Sequence, residues 1–244
     1  MTLPRQLDFL AVPDRFMTVS RWLAPTIGVI AVVLLASGLV LGLTVPPDYQ
    51  QSSTVLILFI HVPAAWLSMF AYVCLAGASF LSLIFRHALA DAAAKACAPL
   101  GTGCTALALA TGSLWGRPMW GAWWVWDARL TSVLVLLLLY LGYIALRASI
   151  EDEAKAGRAA AILALAGVIN LPIIHYSVVW WNTLHQGATV FAEGGPKTAT
   201  VYLIPLLLMA LGYTAAFGAL WLVRIRAELW RRRARALSLQ AAGR

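Results

Sequence analysis

Charge is scarce in this 244-residue sequence. Asp, Glu, Lys and Arg together make up 11% of it, while 61% is hydrophobic. A soluble domain carries about a quarter charged residues, so these charges cannot coat a soluble globule, and the apolar excess excludes a disordered chain. Cysteine is almost as rare. Cys74, Cys97 and Cys104 all fall in apolar runs without a C-x-x-C spacing, which leaves no disulfide framework, thiol-redox motif or zinc knuckle. A Walker A loop is missing, and with it ATP hydrolysis by that route. Repeats of fixed period, low-complexity linkers, a second domain and a cleavable signal peptide are not expected either.

What the sequence has in abundance is long apolar runs. Trp22–Pro47, Tyr49–Phe85, Ala96–Gly116, Leu130–Leu146, Ala159–Ala192 and Thr198–Val223 contain no acidic or basic residue. About 20 residues of helix cross the hydrocarbon core. The expected fold is therefore an all-α polytopic membrane protein, one domain over 1–244. Its six transmembrane helices are expected near 22–44, 55–85, 96–115, 129–148, 160–181 and 200–223. A Trp-rich loop over 116–128 and a basic tail over 224–244 complete it.

The formal charge of +8 is unevenly placed. Arg5, Arg15, Arg21, Arg86, Lys95, Arg147, Lys155, Arg158 and the tail arginines through Arg244 lie on one side, fifteen cations in all. Arg117, Arg129 and Lys197 lie on the other. Cytoplasmic loops collect Lys and Arg, so both termini are expected in the cytoplasm, with loops 45–54, 116–128 and 182–199 facing outward. The arginine-rich tail reads as a cytoplasmic flank beside the lipid bilayer, and nucleic acid is not an expected partner.

Tryptophan breaks the symmetry between the two faces. Of 11 tryptophans, Trp115, Trp120, Trp123, Trp124, Trp126, Trp180 and Trp181 gather at the outer face, whereas a plain aromatic belt occupies both interfaces. Projected on a helix, Trp120, Trp123, Trp124 and Asp127 share one arc. The expectation is an amphipathic indole slab with one carboxylate along the membrane surface. Asp127 could equally cap the fourth helix.

His61 and His185 lie at the same depth as this slab. His87 is expected in a cytoplasmic loop. His175 lies deeper, in the fifth helix, either a functional group or a hydrogen-bonding partner of another helix. A flat apolar ligand that takes two imidazoles is haem. Arg117 and Arg129 are the only arginines available at this face to meet its propionates. Zinc would need further ligands that the outer face does not offer.

The stretch from Trp115 to Thr131, W-G-R-P-M-W-G-A-W-W-V-W-D-A-R-L-T, resembles the signature of the Trp-Trp-Asp haem-handling superfamily. H-V-P-A-A-W at 61–66 and W-W-N-T-L-H-Q at 180–186 narrow the resemblance to the CcmC family, the haem-delivery proteins of bacterial cytochrome c maturation. The resemblance covers nearly the whole chain. It implies a multi-pass protein of the bacterial inner membrane that binds haem b at its periplasmic face. His61 and His185 would be axial ligands of the haem iron, with Trp115, Trp120, Trp123, Trp124, Trp126 and Asp127 around the porphyrin. It further implies delivery to a membrane-anchored haem chaperone (CcmE), and assembly with the ABC transporter subunits CcmA and CcmB and the small membrane protein CcmD. A binding and delivery protein is expected rather than an enzyme, with a part in the covalent attachment of haem to the chaperone left open. A permease subunit that moves haem or another substrate through the bilayer is the alternative, although it predicts more polar spans. A quinone-linked redox enzyme would need a second haem or a quinone pocket.

Overall fold

A computed structural model describes residues 12–181, 183–185, 187, 194–195 and 198–242. Arg5, Lys197 and Arg244 of the charge count, and Asn182 and Gln186 of the last motif, lie outside the described residues. Among the described residues, all the regular elements are helical. Helix α1 spans Pro13–Leu43, and a short 3-10 turn (Ser53–Ile57) leads into α2, Leu58–Phe85. Helices α3 (Ala88–Trp120) and α4 (Ala128–Ser149) follow. The fifth span is made of α5 (Glu153–Ala166), a 3-10 turn (Gly167–Ile169) and α6 (Asn170–Trp180), and the sixth is α7, Thr200–Ala242. Among the described residues, six helical stretches are long and apolar enough to cross a membrane.

Local chemistry sets the boundaries. Pro13 opens α1, where its missing N–H costs nothing. The His87 side chain accepts from the Ala90 amide and caps α3. Asp152 accepts from the amides of Ala154 and Lys155 and caps α5. Gly121, at φ +77°, closes α3 in a left-handed conformation that a Cβ would disfavour.

Helices α2, α3, α4 and the fifth span form the centre, α7 packs against α2 and α3, and α1 lies along α7. Where lipid is the solvent, close packing and small residues hold helices together. Gly38 on α1 lies against Met209, and Gly212 on α7 against Leu35. The core carries Leu67, Leu75, Leu136 and Phe217 around three buried tyrosines, Tyr72, Tyr140 and Tyr143. Tyr72 and Tyr140 meet edge to face at 5.1 Å, and the Tyr140 hydroxyl donates to the Ser68 carbonyl at 2.8 Å, stitching α4 to α2.

Three differences from the sequence reading have physical causes. Helix α3 starts earlier and ends later than 96–115, because its first turns pack on α7 through Leu89, Ala92 and Ala96 and its last turn carries Trp120. The basic tail expected after residue 223 continues the last helix. Helix α7 runs on to Ala242, about 65 Å in all, and its arginines are engaged. Arg232 binds Asp91 and Glu228, Arg231 binds Glu228 and Glu153, and Arg235 binds Glu153. Asp91 also holds Arg147 through both oxygens, at 2.7 and 2.9 Å. This ionic network closes one end of the bundle. Finally, residues 121–127 are not helical, so the indole slab expected from the helical projection does not form. Gly121 ends the helix, and Asp127 takes up extended backbone to cap the next one.

Candidate functional site

The end of the bundle opposite the ionic network gathers the start of α2, the end of α3, the 121–127 segment, the start of α4 and the residues after α6. His61 is in the first turn of α2. Its Nδ1 lies 3.1 Å from the Thr111 hydroxyl on α3. The carbonyls of Leu107, at 2.7 Å, and Ala108, at 3.3 Å, both draw the proton of that hydroxyl back into α3, which favours its meeting His61 as an acceptor, with the imidazole proton on Nδ1. The lone pair then belongs to Nε2. The ring packs edge-on against Trp115 with centroids 5.6 Å apart, and the Trp115 indole N–H donates to Gln51 at 3.1 Å. A Cβ on Gly112 would lie 3.0 Å from the His61 ring, so this glycine lets α3 come close to the imidazole.

His185 is held by a carboxylate. Its Nδ1 lies 2.9 Å from Asp127 Oδ2. A carboxylate only accepts, so Nδ1 bears the proton here as well and the lone pair again falls on Nε2. The other oxygen, Oδ1, accepts from the Leu130 amide at 2.7 Å and caps α4. One side chain therefore both caps α4 and holds the His185 ring. Burial lowers the His185 pKa below the ordinary histidine range and outweighs the opposing pull of Asp127. The imidazole is consequently neutral at neutral pH, the form that binds metals. Trp115 beside His61 and Trp120 beside His185 both belong to the last two turns of α3, which brings the two histidines to one end of the bundle.

The tryptophans divide into two kinds. Trp115 contacts His61, and Trp120 meets His185 with ring centroids 4.8 Å apart. Trp123 and Trp126 keep half or more of their surfaces exposed, at 56% and 74%. Trp124 packs edge-on against Trp126, and its indole N–H is buried without a partner among the described residues.

The two arginines expected to meet propionates are bonded within the chain. Arg117 donates to the Gly121 carbonyl at 2.6 Å. Arg129 reaches the end of α6, donating to Ser177 Oγ at 3.1 Å and to the carbonyls of Ile174 and His175, where a cation is favoured by the helix dipole. His175 is exposed and packs edge-on against Tyr176 at 4.7 Å. His87 caps α3 at the opposite end of the bundle. Thr111, Gly112, Gln51 and Ser177 escaped the sequence reading, because each acts by meeting a residue from a different helix and nothing in the local pattern marks it.

Chemically, the face offers two imidazoles with Nδ1 engaged, exposed indole surface and a buried indole N–H donor without a partner among the described residues. Among the described residues no three His, Cys, Asp or Glu side chains gather to hold a bare metal ion.

Comparison with known proteins identifies the family. Residues 6–240 match the family model CcmC, described as Heme exporter protein C. The chain is 54% identical over 235 residues to the Heme exporter protein C of Bradyrhizobium diazoefficiens, covering 96% of this chain and 89% of that one. It is 52% identical over 186 residues to the protein of that name from Escherichia coli K12, 76% of each chain. With the Paracoccus denitrificans protein it shares 43% identity over 228 residues, 93% of this chain and 95% of its relative. With matches of this extent, the chain belongs to the CcmC family.

Proposed function

We propose that this protein binds haem b at the periplasmic face of the bacterial inner membrane and delivers it to the membrane-anchored chaperone CcmE, working beside CcmA, CcmB and CcmD. Haem is its cargo. The reading rests above all on the paired imidazoles. His61 and His185 come from different parts of the chain to one end of the bundle, each with Nδ1 tied up and its lone pair on Nε2, the donor set an axial pair requires. The surroundings fit the rest of the molecule. Trp123 and Trp126 offer exposed indole faces for the porphyrin, Trp115 and Trp120 brace the imidazoles, and the orphan Trp124 N–H is a donor for a carboxylate or carbonyl of the ligand. Arg117 and Arg129 would meet the propionates by exchanging a backbone carbonyl for a carboxylate, the stronger partner. Haem would be held by reversible coordination and passed on, so the proposed role is delivery. The names of the relatives, Heme exporter protein C, support a haem-related role.

Purified protein loaded with ferric haem is expected to give a six-coordinate, low-spin spectrum. His61→Ala and His185→Ala each lose it, while His175→Ala keeps it. An unchanged six-coordinate spectrum in either of the first two variants would overturn the assignment. A reporter at Gly194 is expected to score outside the cytoplasm, and one at the C-terminal end inside it. The reverse would remove the periplasmic placement.

A further inference from the structure

The two imidazoles are held by different chemistry. His185 donates to a carboxylate, Asp127, at 2.9 Å. His61 donates to a neutral hydroxyl, Thr111, at 3.1 Å. Hydrogen bonds to an ionised acceptor are about twice as strong as neutral ones. A carboxylate on Nδ1–H also pushes electron density toward Nε2 and makes the imidazole a better metal donor. The Thr111 oxygen does this only weakly, although its own proton is drawn toward the carbonyls of Leu107 and Ala108. Thr111 and Trp115 stand one turn apart on the same face of α3, so together they set the position and tautomer of His61 without adding charge.

We propose that the pair is unequal by design: Asp127 makes His185 the ligand that stays on the iron, and Thr111 is the positioning residue that makes His61 the ligand that leaves first when haem is passed on. This rests on the reading of the site as a haem site. In the step, the iron–Nε2 bond of His61 breaks and the electron pair returns to the nitrogen. The iron keeps its oxidation state and gains an open position for a ligand from the acceptor. Asp127 meanwhile keeps His185 anchored to the start of α4.

Two measurements test this. In haem-free protein with ¹⁵N-labelled histidine, both His61 and His185 are expected as the Nδ1–H tautomer. Thr111→Val abolishes that preference for His61 alone, and Thr111→Ser restores it. In the ferrous haem-loaded protein, carbon monoxide is expected to replace His61. The C–O stretch of the adduct is then the same in wild type and His61→Ala, and CO binds about tenfold faster in Thr111→Val. A His61 tautomer indifferent to Thr111, a C–O stretch that differs between wild type and His61→Ala, or an unaltered CO binding rate in Thr111→Val overturns the inference and leaves the haem assignment standing. A wild-type protein that takes up no haem overturns both.

Discussion

Asp127 binds His185 with one carboxylate oxygen and the first turn of α4 with the other. An asparagine at 127 keeps the cap through its carbonyl oxygen but turns an amide N–H toward His185. Nδ1 must then accept, the proton moves to Nε2, and the lone pair that would meet iron is lost. Asp127→Asn is therefore expected to leave the melting temperature unchanged, since Asn caps as well as Asp, and to weaken haem retention tenfold or more, on the order of other losses of a ligand's hydrogen-bond partner. Thermal unfolding and haem titration of the same sample check both halves.

Gly112→Ala tests the close approach of α3 to His61. The added methyl group would stand 3.0 Å from the ring, so the imidazole or the helix must shift by a few tenths of an ångström. Alanine favours helix over glycine by about 1 kcal/mol. Stability is expected to hold or rise while haem affinity falls several-fold. Unchanged affinity would mean that His61 has room to spare.

Replacing Trp123 and Trp126 together by Ala removes the exposed indole faces and is expected to lower haem retention with membrane insertion intact, because neither residue belongs to a helix. Trp120→Ala acts by another route. It removes the ring against which His185 rests, so the coordination spectrum changes as well as the affinity. Retention at the wild-type level in the double variant would reduce those indoles to interfacial anchors.

The pH dependence follows from His185. Its pKa in the fold is below that of the free imidazole, chiefly through burial. The folded state therefore favours the neutral form. That contribution is fully present above the unfolded value of about 6.5 and is lost as the pH falls through the lower folded value. Haem coordination is expected to be constant from pH 8 to about 6.5 and to fail only at more acidic pH, which a spectrophotometric titration reads directly.

At the other end, Asp91→Ala would leave Arg147 and Arg232 without their shared carboxylate. Breaking a fully buried ion pair from one side costs about 3 kcal/mol or more, and these partly buried pairs are expected to cost less than that. Thermal unfolding in detergent is expected to show that smaller loss, while the haem spectrum of the surviving folded protein matches wild type, since no residue of the ionic network reaches the histidine end.

The spans were legible in the sequence because an apolar run of membrane length has few alternative fates. His61, His185 and the tryptophans stood out as costly residue types concentrated on one predicted face. The form of the Trp-rich segment was not legible. Its spacing of three, one and three fits a helical arc, but Gly121 and the demand of Asp127 for extended backbone outweigh that periodicity. The engagement of the α7 arginines was hidden for a different reason. Asp91, Glu153 and Glu228 are scattered over the sequence and become one cluster only when α3, α5 and α7 pack. Thr111 shows the same limit at the site itself, since its hydroxyl looks like that of Thr102 or Thr105 until α2 is laid beside it.

The hydroxyl of Tyr140 on the Ser68 carbonyl carries a further consequence. Ser68 lies about 10 Å below His61 along α2, and Tyr140 is on the helix whose first residues clasp His185 through Asp127 and the end of α6 through Arg129. The gap between the two imidazoles is thus the open end of a pair of tongs, with α2 and α4 as its arms and the tyrosine layer as its rivet. A change of bulk at the rivet alters the grip at the tip without touching either histidine.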